Sequence, residues 1–130
     1  MPNYDSEHFA PPAPIAWVSL INPNTGQSLQ AIPMLMDTGA DITLVPAKAL
    51  RDLGVDTLPD LYALEGFNGT RVMAPTAYLS LRLLGRTFYG RFVTIDQEIG
   101  ILGRNVLNHL ALLLDGPRLS WQLLPVSPTE

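Results

Sequence analysis

The residues best suited to chemistry begin at Asp37. This carboxylate stands at the end of an apolar run, Ile32, Met34, Leu35 and Met36, and is followed at once by Thr38, Gly39, Ala40 and Asp41. The run reads as a buried strand, and Gly39 permits a tight turn that most residues could not make. An acid delivered by a buried strand into a turn is held rigidly and partly desolvated. Such a carboxylate is poorly placed to solubilise the chain and well placed to take and give protons.

Competing chemistries have little support. The chain has no cysteine, which removes a thiol nucleophile, a zinc ribbon and a disulfide framework. His8 and His109 lie far apart with no acid cluster beside them, a poor basis for a metal site. No serine sits in a Gly-x-Ser-x-Gly elbow, and no phosphate-binding glycine loop occurs. The expectation is chemistry without metal or cofactor.

A second segment, Gly100-Ile101-Leu102-Gly103-Arg104-Asn105-Val106-Leu107, follows about sixty residues after the first. Between them lies a glycine-bounded tip, Gly66-Phe67-Asn68-Gly69. Together, Asp37-Thr38-Gly39-Ala40-Asp41 and this second segment resemble the paired signatures of the retropepsin-like aspartic proteases. The likeness runs from about Ile15 to Leu124. It implies a single-lobe acid-protease fold with Asp37, Thr38 and Gly39 as the catalytic signature. It also implies substrate contacts from Ala40, Asp41, Ile101 and a flap at Gly66, Phe67, Asn68 and Gly69, with Arg104 and Asn105 as structural support. Arg104 is expected to reach back to Asp41, since its planar fork can meet a carboxylate with two parallel bonds.

Hydrolysis of a peptide by water needs one group to take a proton from the water and another to give one to the substrate. Two carboxylates a few ångströms apart can do both. Charges that close cannot both form cheaply, so the pair shares one proton; the aspartic proteases are the type example. Only one Asp-Thr-Gly occurs, and 130 residues leave no room for a second lobe. The resemblance therefore implies an obligate homodimer with one site on its two-fold axis. Ala40 stands where many relatives carry a serine whose hydroxyl favours the charged carboxylate. A weakly acidic optimum is the corresponding expectation. The alternative is a protein of the same fold used as a dimerisation or peptide-binding module with little hydrolysis.

The elements that must position these residues read as a mostly β chain. Strands are expected at Ile15–Ile21, Ser28–Met36, Ile42–Val45 and Leu61–Leu64. Another runs from Arg71 to Ala77, interrupted by Pro75, and the next two, Tyr78–Leu83 and Thr87–Ile95, flank a hairpin at Leu84-Gly85-Arg86. Pro46 and Gly54 bracket a helix at Ala47–Leu53, and a shorter helix follows at Asn105–Leu110. A last hairpin, Leu112–Asp115 and Leu119–Leu124, turns at Gly116-Pro117 and is expected near the dimer interface. Many short strands with one or two short helices suggest a closed sheet or barrel. Residues 1–14 read as a flexible proline-rich arm, 15–124 as the protease domain and 125–130 as a tail.

Composition bounds the rest. Hydrophobic residues are 47% and charged residues 15%, a balance that folds rather than stays disordered. The net charge of -4 argues against nucleic acid or anionic membrane as a partner. No stretch approaches the roughly 20 apolar residues of a membrane span. No signal peptide is visible, so a cytoplasmic location is the default expectation.

Overall fold

The computed structural model describes residues 2–66 and 68–125. Among the described residues there are ten strands: β1 Tyr4–Asp5, β2 Ala13–Ile21, β3 Ser28–Met36, β4 Leu44–Pro46, β5 Leu61–Glu65, β6 Arg71–Leu83, β7 Arg86–Ile95, β8 Gly100–Leu102, β9 Leu112–Asp115 and β10 Ser120–Leu123. Two helices, α1 Ala47–Leu53 and α2 Arg104–Leu107, join them.

Six strands close on themselves in the order β2-β3-β8-β4-β7-β6, with β6 returning to β2 through Ser19–Ile21 and Ser80–Arg82. Period-two patterning makes this a barrel with a dry interior. Ala16, Val18 and Leu20 of β2 alternate with exposed or half-buried Trp17 and Ser19, and Ala77, Leu79, Leu81 and Leu83 do the same on β6. These residues, with Met34, Leu102 and Val106, form one continuous core. Helix α1 adds Ala49, Leu50 and Leu53 to it. Its ends match the sequence reading: Pro46 precedes it in extended conformation, and Gly54 closes it at φ 67°, donating its N–H to Arg51 O.

Four expectations change. The strand expected at Ile42–Val45 is displaced to Leu44–Pro46, which leaves Ile42 and Thr43 in the loop before it. Pro75 does not interrupt its strand: β6 is continuous over thirteen residues. Its first five residues pair with β5, and from Thr76 onward it pairs with β7. Pro75 is the last residue paired with β5, so its missing N–H falls where one ladder hands over to the other. The short helix begins one residue early and ends at Leu107. The N-terminal segment expected as an arm is hydrogen-bonded instead. Tyr4 and Asp5 pair with Pro14 and Ala13, Ile15 N–H donates to Asn3 O, and Tyr4 N–H donates to Leu119 O. Trp121 N–H reaches Pro2 O. Pro2–Asp5 thus lies between β2 and β10, and the β9–β10 hairpin is tied to the barrel through it. Trp121 completes the tie: it is 4% exposed and its indole N–H donates to Ile15 O at 3.0 Å. Residues 126–130 of the expected tail lie outside the described residues.

Candidate active site

Asp37 leaves the end of β3, where the parallel pairing of Met34, Leu35 and Met36 with Gly100, Ile101 and Leu102 continues as Asp37 N–H to Leu102 O at 3.0 Å. Alternation along β3 sends Met34 into the core, fully buried, so Leu35 and Asp37 face the other way. The acid therefore emerges on the outer side of the barrel wall, beside Leu35 and Ile101. The turn after it is closed by Ala40 N–H to Asp37 O at 3.1 Å and by Gly39 N–H to Asp37 Oδ1 at 2.9 Å. The second bond fixes the carboxylate plane. Thr38 and Gly39 are exposed at the tip.

The second motif clamps this turn from behind. Arg104 N–H donates to Ala40 O at 2.8 Å, and its Nη1 donates to Thr38 O at 2.7 Å. Thr43 Oγ1 accepts from Gly103 N–H at 3.0 Å and donates to Asn105 Oδ1 at 2.7 Å. Backbone approaches backbone so closely that a methyl on Gly103 would overlap the Ile42 carbonyl, and one on Gly100 would meet Met34 and Leu44 O. The glycines of the motif thus answer to space, not to φ.

Arg104 does not pair with Asp41. None of the ion pairs among the described residues includes either residue. The backbone bond from Arg104 to Ala40 O sets the guanidinium beside the Thr38 carbonyl, and Asp41 stays exposed. The arginine steadies the loop through a carbonyl rather than a carboxylate. Thr43 was missed in the sequence because it sits in a β-branched run that reads as ordinary strand. The only signal was a hydroxyl among apolar neighbours. Its side chain is fully buried and bridges both motifs. Thr43→Val leaves Gly103 N–H buried without a partner and is expected to cost about 1–3 kcal/mol in chemical denaturation.

The β5–β6 hairpin stands where the flap was expected. Its tip is closed by Gly69 N–H to Gly66 O at 3.1 Å and Gly66 N–H to Thr70 O at 3.0 Å, with Gly69 at φ 79°. Asn68 Oδ1 takes the Thr70 hydroxyl at 2.6 Å. Phe67 lies outside the described residues. One hairpin face carries Tyr62, Leu64 and Ala74, which pack in a second apolar cluster with Ile42, Leu44 and Ile101, so the hairpin is seated on the strands that flank Asp37.

An open pocket of about 360 Å³ adjoins the same wall. Leu35, Ile99 and Ile101 line it with Glu98, and His8 and Phe9 close it from the N-terminal side. The Ser6–Pro12 loop that carries these two is held by Asp5. One carboxylate oxygen accepts Glu7 N–H at 2.7 Å and His8 N–H at 3.0 Å, and the other meets His8 Nδ1 at 2.9 Å. The His8 backbone and side-chain bonds hold Asp5 below the usual carboxylate range, and the bond to Asp5 raises His8 above the usual imidazole value. A further pocket, beside α1, is lined by none of the motif residues.

Solved structures share this fold, and two illustrate the likeness. One is EIAV protease complexed with the inhibitor HBY-793, at 22% identity and TM-score 0.59, covering 75% of this chain and 86% of that one. The other is the simian foamy virus (mac) protease in solution, at 18% identity and TM-score 0.50, covering 72% and 91%. The family described as aspartyl protease matches residues 22–106, which include the Asp-Thr-Gly turn, the hairpin above it and most of the clamp behind it. The fold is thus that of retroviral proteases, and the chain belongs to the aspartyl protease family.

Proposed function

We propose that this chain is one half of a homodimeric aspartic endopeptidase. A water held between Asp37 and Asp37 of the partner subunit attacks the scissile carbonyl. One carboxylate takes the water's proton while the other, protonated, gives its proton to the carbonyl oxygen. The protonated carboxyl then passes its proton to the amide nitrogen as its mate takes one from the tetrahedral diol, the C–N bond breaks, and the pair again holds one proton. The observation that carries the reading is a single carboxylate, locked in orientation by Gly39 N–H and clamped from behind by Arg104 and Thr43, at the tip of an exposed Thr38-Gly39 turn. A group fixed so firmly and left without a second acid of the same motif suits a site completed by a second copy.

Thr38 would brace the paired turns across the axis, and Gly39 would let a substrate backbone approach. Ala40, Asp41 and Ile101 would line the cleft. The Gly66–Gly69 tip would close over a peptide bound as an added strand. The second copy would join through the β9–β10 hairpin. Leu113 and Leu114 of β9 are 45% and 51% exposed, an apolar edge of the kind that soluble chains cover by association. Among the described residues no helix is long and apolar enough to cross a membrane.

The test is the rate of peptide hydrolysis per chain across a dilution series at weakly acid pH, read beside sedimentation. The rate is expected to fall with the dimer fraction. A monomer that keeps full activity per chain would rule the reading out.

A further inference from the structure

We propose that the open pocket beside α1 is a second ligand site. It takes a small zwitterion with a bulky apolar side chain, the chemistry of a free dipeptide, and its occupant weakens peptide binding in the cleft. The coupling to the cleft rests on the reading of Asp37 as the catalytic carboxylate; the site itself does not.

Strand direction makes the pocket. β4 and β7 run parallel, with Pro46 opposite Ile95. Both strands therefore finish at the same end of the sheet, and α1 and the loop of residues 96–99 leave it side by side. A space of about 300 Å³ remains between them, at the small end of ligand pockets. Its floor is Leu29 and Ile32 of β3, with Pro46 and Ala49. Leu29 and Ile32 are three residues apart, which in a regular strand puts two side chains on opposite faces. A bulge brings them to one face. Leu29 pairs with Leu20 and Ile32 with Val18, so Gln30 and Ala31 together oppose Ser19, and Ala31 takes φ 60°. An irregularity in β3 thus supplies the apolar floor.

The two walls carry opposite charges. Arg51 lines the pocket from α1 and Asp96 from the loop. Lys48 and Asp52 satisfy each other at 3.0 Å. Neither Arg51 nor Asp96 belongs to any of the ion pairs among the described residues. An ammonium can face Asp96 and a carboxylate Arg51 while an apolar side chain covers the floor. An uncharged apolar ligand leaves both walls unmatched, and a simple anion or cation leaves one.

Gln97 and Glu98 line this pocket and also the one beside Leu35 and Ile101. The loop is therefore a partition shared by both spaces. A ligand that ties Asp96 to Arg51 draws the partition toward α1 and away from Leu35, which loosens its hold on a peptide lying there.

The experiment uses the full chain carrying Asp37→Asn, so that no peptide is cut. It is titrated calorimetrically with the dipeptide Leu-Phe and with the acetylated, amidated form that lacks both charges. The free dipeptide is expected to bind at millimolar concentration or below, and the capped form about tenfold more weakly. Arg51→Gln and Asp96→Asn should each weaken the free dipeptide by about three- to fivefold, the worth of an exposed ion pair, and leave the capped form unchanged. Both side chains are exposed, so both variants keep the fold. Saturating dipeptide should then weaken binding of a fluorescent apolar decapeptide by about fivefold or more, reaching a plateau. No binding of the free dipeptide, equal binding of free and capped forms, or binding unmoved by both substitutions overturns the site. A loss of decapeptide affinity that grows without a plateau puts the dipeptide in the cleft and overturns it as well. Decapeptide affinity unchanged by bound dipeptide overturns the coupling and leaves the proposed function standing. A decapeptide that never binds overturns the coupling together with the peptide-binding part of the proposed function, and the calorimetry still decides the site by itself.

Discussion

Asp37→Asn is expected to abolish peptide hydrolysis while leaving fold and assembly intact. Asparagine matches aspartate in shape and keeps an oxygen to accept Gly39 N–H, so the turn has no reason to move. Arg104 and Thr43 grip the surrounding loop through groups the substitution does not touch. What disappears is the capacity to hold a proton or release it. Removing a positioned acid or base costs about 10²–10⁴ in rate. In the proposed homodimer the substitution is carried twice, so the loss should reach or exceed the upper end of that range. The measurement is hydrolysis of a peptide library from pH 4 to pH 7, with melting temperature and sedimentation recorded for both proteins. Wild-type rates in the variant would place the chemistry elsewhere. Equal silence from both proteins, with peptide binding retained, would point to a binding module built on a protease fold.

Gly103→Ala is expected to be the most damaging single-methyl addition in the described chain. A Cβ there overlaps the carbonyl carbon and oxygen of Ile42, which are backbone and cannot swing aside. Relief requires the Asp37–Thr43 loop to separate from the segment that opens α2. That movement loosens Gly103 N–H to Thr43 and both bonds from Arg104. Overpacking of this kind costs about 1–3 kcal/mol or more, a large part of the 5–15 kcal/mol that holds a typical domain folded. Activity should fall further than stability does, since the loop that moves carries Asp37. Gly90→Ala is the control. It also lies in a strand, but a Cβ there meets nothing within 4 Å, and its stability change should stay within about 0.5 kcal/mol. Similar melting shifts for the two variants would show that the close approach at Ile42 is not what holds the motif.

Asp37 was legible in the sequence because its signal is local, whereas the close approach of Gly103 to Ile42 became visible only in the fold. Asp37-Thr38-Gly39 after an apolar run declares a strand ending in a tight turn, and Pro46 and Gly54 declare the ends of α1, since each restricts or frees its own φ. The turn at Leu84-Gly85 is likewise set within a few residues, both lying at positive φ.

Tertiary structure decided whatever depended on the relative placement of distant segments. Thr38 and Arg104 are 66 residues apart, and sequence spacing carries no information about the angle at which two segments meet. The partner of the guanidinium could be named only once the backbone of Ala40 and Arg104 had docked. Thr43 looked like one more β-branched strand residue until two polar groups about sixty positions away converged on its hydroxyl. The proline-rich N-terminus read as loose because no regular local pattern marks it. Its order comes from β2 and β10, whose free edges supply the hydrogen bonds that Pro2–Asp5 lacks by itself. Local chemistry therefore fixed which residue could carry a proton and how its turn is made, while long-range packing settled what grips that turn and what surrounds it.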